Sequence, residues 1–285
     1  MVLPMPPAHD RTAFPRPGAR LGPYTLGEPL GAGQVGTVFR AVGPHGEVAL
    51  KILHADLAAD ASYRRRFERE GELAASLDHP HLVPVVDHGE ADGLPYLAAP
   101  LVPGGSLADR LEQGPLRLDE LVRVVGHVAS GLDALHRTGL LHRDVKPSNV
   151  LLAEGGAAAL GDFGLARGDA HTILTQAGRV AGTADYLAPE AIRGEPLGPR
   201  ADVYALGCLA YECATGTPPF AAAASVVDAC RAHLLEEPAD PVDARADLPR
   251  PFAGALLTAL AKVPERRPAT GTAYALLLRA GARGA

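Results

Sequence analysis

The chain has 285 residues, 47% of them hydrophobic, and a formal net charge of −6; this is enough apolar material for one large domain or two modest lobes, and it is not the composition of a disordered chain. Its 27 Lys and Arg are scattered rather than gathered into a stripe, which argues against nucleic acid as a partner. The three cysteines, Cys208, Cys213 and Cys230, have neither Cys-x-x-Cys spacing nor an even count, which argues against structural zinc and a disulfide framework and fits a reduced, cytoplasmic setting.

Residues 1–20 are rich in Pro, Gly and Arg without apolar periodicity and read as a disordered extension, with Pro4, Pro6, Pro7, Pro15 and Pro17 breaking any signal-type apolar core. Folding is expected from Leu21. Alternating apolar residues predict strands at Tyr24 to Leu30, Val35 to Val42, Glu47 to Leu53, Val83 to His88 and Pro95 to Leu101, with one helix near Ser62 to Leu77. After Pro103-Gly104-Gly105 the pattern turns helical, beginning with Leu121, Val124, Val125, Val128, Leu132 and Leu135 on one face. Val203 to Leu209 is apolar nearly all round and predicts a buried helix. Two more helices are expected at about Pro251 to Lys262 and Thr270 to Arg279, leaving 281–285 as a tail. The uncharged run from Cys213 to Val227 is interrupted by Pro218 and Pro219 and falls short of a span of roughly 20 residues, so no membrane insertion is expected.

Several short patterns carry chemistry. Gly31, Gly33 and Gly36 follow Leu30 at a spacing that lets backbone amides approach phosphates; alone such a spacing is more often an ordinary turn. Lys51 ends the apolar run Val48-Ala49-Leu50, where an ammonium needs an anionic partner. Phe67, Glu70, Ala74 and Leu77 share one helical face, so Glu70 is an acid among core-facing residues, whereas its neighbouring arginines read as a solvated face. Further on, His142-Arg143-Asp144-Val145-Lys146-Pro147-Ser148-Asn149 and then Asp162-Phe163-Gly164 bring an acid, a cation and two oxygen ligands into a short region. Phosphoryl transfer to a hydroxyl asks for those groups.

These motifs together closely resemble the protein kinases, and Lys146 resembles the residue that marks serine/threonine enzymes in that family. The resemblance covers roughly residues 21 to 280 and is to bacterial enzymes of eukaryotic-like (Hanks) type. It implies an α+β bilobal fold, with a small antiparallel sheet lobe carrying one helix at 21–102 and a larger helical lobe at 103–280. It implies that Asp144 accepts the proton of the substrate hydroxyl, Lys146 neutralises the transferring phosphoryl group, and Asn149 and Asp162 bind Mg2+ or Mn2+. Around ATP it implies the loop Leu30, Gly31, Gly33 and Gly36, apolar walls Val38, Ala49 and Leu151, the pair Lys51–Glu70, and a hinge at about Ala99 to Val102 with the Val102 amide on adenine. Ala99, or Ala98 if the register slips by one, is the residue at the back of the adenine pocket.

Gly182-Thr183 before Ala188-Pro189-Glu190 resembles the end of the activation segment, with Thr183 supporting Asp144 and Lys146. Glu190 is expected to pair with Arg267, and Asp202 to anchor the catalytic-loop backbone. Arg143 beside the acid resembles the mark of enzymes controlled by phosphorylation, with Thr172 and Thr175 as acceptors and Thr175 the better match. The expected partners are Ser/Thr-containing protein substrates and a second copy of the chain for autophosphorylation in trans. The alternatives are a pseudokinase scaffold, against which Lys51, Asp144, Asn149 and Asp162 speak, and a small-molecule kinase, against which the segment ending at Glu190 speaks.

Overall fold

The computed structural model of the chain describes residues 14–33, 35–153, 155–162 and 184–283, and only the backbone of Glu70. It divides into two compact units, one running to Ser76 and including Pro84–Leu101, the other formed by Leu77–Val83 with Val102 onward.

The first unit is an antiparallel sheet in the order β1-β2-β3-β4-β6-β5, from Arg20–Leu21 (β1), Tyr24–Ala32 (β2), Gly36–Gly43 (β3), Gly46–Leu53 (β4), Asp87–Ala91 (β5) and Leu94–Pro100 (β6). Alternation along the strands sends Leu26, Phe39, Ala41, Val48, Leu50, Ile52, Tyr96 and Ala98 into one core. Tyr24, also in that core, donates its hydroxyl to Asp87 Oδ2 at 2.6 Å. Two helices follow β4, Ala55–Ala59 (α1) and Ala61–Ala75 (α2), and Asp60 caps α2 by accepting from the amides of Ser62 and Tyr63.

Three expectations differ here. Order begins before Leu21: Phe14 sits 6.3 Å from the Phe39 ring and Gly18 N–H bonds Leu26 O. α2 stops at Ala75, where Ser76 turns its hydroxyl onto Leu73 O, so Leu77 is off the helix face and packs with the second unit. The strand expected at Val83 to His88 starts only at Asp87; Pro84 has no amide to give a ladder, and Val83 N–H bonds Leu160 O instead.

The second unit is mainly helical: Leu107–Leu111 (α3), Leu118–Arg137 (α4), Pro189–Arg193 (α5), Pro199–Thr215 (α6), Val226–Leu235 (α7), Pro241–Ala244 (α8), Arg250–Thr258 (α9) and Gly271–Arg283 (α10). Its centre is α6, in which Val203, Tyr204, Leu206, Cys208 and Leu209 are all fully buried, as its all-round apolar sequence requires. α4 buries the expected face from Leu121 to Leu135. The Asp133 carboxylate on α4 accepts from the amides of Gly271 and Thr272, placing an anion at the positive end of α10. A two-stranded hairpin, Val150–Leu152 (β7) with Ala158–Leu160 (β8), is an addition to the sequence reading; its signal is the apolar run on each side of Gly155-Gly156. Among the described residues no helix is long and apolar enough to cross a membrane.

Candidate active site

The loop 142–149 is hung from one buried carboxylate. Asp202, on the first turn of α6, accepts the His142 amide at Oδ2 and the Arg143 amide at Oδ1, each at 2.8 Å, and His136 Nε2 lies 2.7 Å from Oδ2. Burial by itself would raise the Asp202 pKa, but the His136 bond and the surrounding histidines bring it below the usual carboxylate value, so the anchor is an anion. The expected backbone anchor is therefore where the sequence reading puts it. His142 is completely buried, which lowers its pKa and keeps it neutral. It donates from Nε2 to Gly161 O at 3.1 Å and accepts the Asp144 amide at Nδ1, joining the loop to the turn that carries Asp162. Sequence reasoning gave His142 no role; a polar side chain at a fully buried position becomes visible only in the fold.

Arg143 and Asp162 both adopt left-handed backbone, with φ of 61° and 52°. For side chains with a Cβ this costs on the order of 1–3 kcal/mol, a strain that collects at functional sites. Asp202 holds the first of these residues, and Gly161 N–H to Asn149 O at 2.8 Å braces the segment next to the second.

Asp144 and Lys146 come together directly, Nζ to Oδ2 at 3.0 Å. Asn149, buried in a single 3-10 turn, donates Nδ2 to Asp144 O at 2.8 Å and to Asp144 Oδ2 at 3.0 Å. With its nitrogen so engaged, Asn149 keeps its carbonyl oxygen for another partner. That oxygen and the carboxylate of Asp162, an exposed residue, are hard oxygen donors, the type that a small divalent cation takes. Among the described residues no group of three or more His, Cys, Asp or Glu could hold a metal. Leu151 pairs with Ala159 across the hairpin and bridges to Ser106, and Val102 is half-buried at the start of the same unit.

In the first unit, Lys51 lies opposite Val38 on β3 and Leu97 on β6, while Ala49 lies opposite Ala99. Directly paired residues share a face, so Ala49, Lys51 and Ala99 stand together and Ala98, opposite Leu50, turns into the core. Of the two alanines, it is Ala99 that shares the face of Lys51. α2 packs near the same place: a Cβ on Gly71 would come within 2.8 Å of Cδ2 of Leu97, the residue paired with Lys51. The Glu70 side chain lies outside the described residues. Leu30 is exposed, and a Cβ on Gly31 or Gly33 would meet nothing within 3.4 Å. Gly36 differs: a Cβ there would lie 2.2 Å from Ile52 O, so its missing side chain serves the packing of β3 on β4. Thr172, Thr175 and Thr183 lie outside the described residues, as do Phe163, Gly164 and Gly182.

The expected pair of Glu190 and Arg267 forms a buried fork, Nη1 to Oε1 at 2.6 Å and Nη2 to Oε2 at 2.8 Å. Arg267 also donates to the carbonyls of Ala261, Arg200 and Lys262.

The family described as Protein kinase domain matches residues 24–275. Serine/threonine-protein kinase PknB of Mycolicibacterium smegmatis is 41% identical over 253 residues, covering 86% of this chain and 40% of the relative. PknH of Mycobacterium bovis is 39% identical over 266 residues, covering 92% of this chain and 44% of the relative. The chain thus spans about two fifths of the length of these curated relatives. Among solved structures, the Mycobacterium tuberculosis PknI kinase domain superposes with a TM-score of 0.77 at 34% identity, over 95% of this chain and 100% of that one.

Proposed function

The chain belongs to the protein kinase family, among relatives that are bacterial serine/threonine kinases, and on that premise we propose that it transfers the γ-phosphate of ATP to Ser or Thr hydroxyls of proteins. The observation that carries this reading is the Asp144–Lys146–Asn149 constellation on a loop held by Asp202. Asp144 takes the hydroxyl proton as the new O–P bond forms, and the bond to the β-phosphate oxygen breaks to release ADP. Lys146, in contact with the Asp144 carboxylate, offsets negative charge on the phosphoryl group in flight. Asn149 Oδ1 and Asp162 would hold Mg2+ or Mn2+, which when bound supplies positive charge to the phosphates.

Lys51, partnered by Glu70, places the α- and β-phosphates under the loop of Leu30, Gly31, Gly33 and Gly36. Val38, Ala49 and Leu151 wall the base, and the Val102 amide meets adenine. Thr183 supports Asp144 and Lys146. Phosphorylation of Thr175, with Thr172 secondary, adds a charge of about −2 that Arg143 is placed in sequence to receive; ATP is the donor and a second copy of the chain is the enzyme that transfers the group in trans. The small lobe is the first unit and the large lobe the second, to which Leu77–Val83 and Val102 belong, and the setting is cytoplasmic. Incubation with labelled ATP and magnesium, alone and with a generic basic protein, tests the reading. Label should enter Ser and Thr, with Thr175 the main site in the chain itself, and Asp144→Asn should lower transfer by a factor on the order of 10² to 10⁴ while nucleotide still binds. Transfer within a few-fold of the unaltered protein would remove Asp144 as the base.

A further inference from the structure

Three histidines cluster in the second unit away from the loop 142–149. His81 and His127 stack with ring centroids 4.0 Å apart and planes 12° from parallel, and His79 lies 5.7 Å from His81. Both stacked rings hold the same residue: His81 Nδ1 is 2.9 Å from Ala158 O, and the Ala158 amide donates to His127 Nδ1 at 3.2 Å. Ala158 opens β8, whose end runs through Gly161 into Asp162. The hold is local to the start of the strand: β8 has only three residues and pairs with a strand of three, while its end is held separately, Leu160 N–H on His81 O and Val83 N–H on Leu160 O.

The partners fix the tautomers. A carbonyl only accepts, so His81 carries its proton on Nδ1 and its basic nitrogen is Nε2. An amide only donates, so His127 carries its proton on Nε2 and its basic nitrogen is Nδ1. A further proton on His81 would leave its bond to Ala158 intact. A proton on His127 must land on the nitrogen that accepts from Ala158, setting two N–H groups against each other.

We propose that His127 is a proton-sensing positioning residue for phosphoryl transfer: neutral, it holds the first amide of β8 and so helps set the strand that leads into the Gly161–Asp162 turn, and protonated it releases that amide and loosens the start of the strand. The consequence for turnover rests on the proposed role of Asp162. The charged and titratable groups around the pair are Arg123, one turn earlier on α4, His79 with its Nε2 on Ser130, and Asp78 and Arg137 beside His79. Burial, then His81 and then Arg123, lower the His127 pKa below its ordinary 6.5. The sign follows: the unfolded ring takes its proton near 6.5, the folded ring only at lower pH, so the hold is complete above 6.5 and is lost as pH falls through the folded value.

The test uses the nucleotide-free protein and His127→Asn, whose amide oxygen can stand where Nδ1 stands but does not titrate. Amide hydrogen exchange is followed between about pH 5 and pH 8, across the range in which histidines titrate. In the unaltered protein the protection of Ala158 should fall by up to roughly tenfold per pH unit below the His127 pKa, and in His127→Asn it should not. Nitrogen NMR of the unaltered protein should place the neutral-ring proton on Nε2 of His127. In transfer assays the apparent KM for magnesium should rise in acid for the unaltered protein and stay flat for the variant.

Equal acid dependence of Ala158 exchange in both proteins, or a neutral-ring proton on Nδ1, would overturn the proposal. Ala158 opening with no change in the magnesium KM would overturn its positioning part. No transfer at any pH, with Ala158 still titrating only in the unaltered protein, would refute the kinase function and leave the clamp supported.

Discussion

The fork between Glu190 and Arg267 gives the sharpest stability prediction. The Glu190 and Arg267 side chains are 5% and 0% exposed. All five guanidinium N–H groups of Arg267 are engaged, two on the carboxylate and the rest on the carbonyls of Ala261, Arg200 and Lys262, and its Cζ lies 4.8 Å from the centre of the Tyr204 ring. Glu190→Gln keeps the shape, removes the countercharge and turns an amide NH2 toward a donor. Breaking a buried pair from one side costs about 3–5 kcal/mol, because a charge is left desolvated and uncompensated. Arg267→Met should cost a similar amount by stranding the carboxylate. The exposed pair Arg231–Glu236, with side chains 62% and 47% exposed, is the internal control, and Arg231→Ala should cost about 0–1 kcal/mol. Urea unfolding followed by circular dichroism measures all of these. The double variant Glu190→Gln with Arg267→Met should cost less than the sum of the two, by about 0.5–3 kcal/mol of coupling. If Glu190→Gln lost no more than the Arg231→Ala control, the argument from desolvation would be wrong for this site.

Three further outcomes follow from other parts of the molecule. Gly36→Ala should lower both stability and nucleotide affinity, because the 2.2 Å approach to Ile52 O forces β3 from β4; an unchanged melting temperature would show that the strands give way freely. Ala99→Met should weaken adenine mimics carrying a bulky aromatic extension at least tenfold, the equivalent of about 1.4 kcal/mol, with ATP use largely kept; equal inhibitor binding by the two proteins would defeat the placement of Ala99. His233 is fully buried against Tyr204 and Phe220, and burial pulls its pKa down to about 3. Its contribution to stability is therefore complete above its unfolded pKa of 6.5 and is lost as pH falls from there toward about 3. The gap between urea midpoints at neutral and mildly acid pH should narrow in His233→Gln, and an unchanged gap would mean that His233 is not desolvated.

The sequence by itself marked the main strands of the first unit, the central helix of the second and the residues of the proposed site. Apolar alternation marked β2, β3, β4 and β6, and the all-round apolar run marked α6, because burial on one face or on all faces leaves a direct periodic trace. Asp144, Lys146 and Asn149, three members of the proposed site, were legible because short chain spacing brings them together. The tertiary structure decided what depends on long-range pairing. That Val83 bonds Leu160 rather than extending a strand, that His142 reaches the Gly161 carbonyl, and that one carboxylate on α6 carries two amides of a loop some 60 residues earlier are contacts between segments whose local patterns carry no record of each other. The same holds for Ala99 against Ala98. Only cross-strand register says which alanine shares a face with Lys51, since a shift by one residue exchanges the two faces of a strand and leaves its composition untouched.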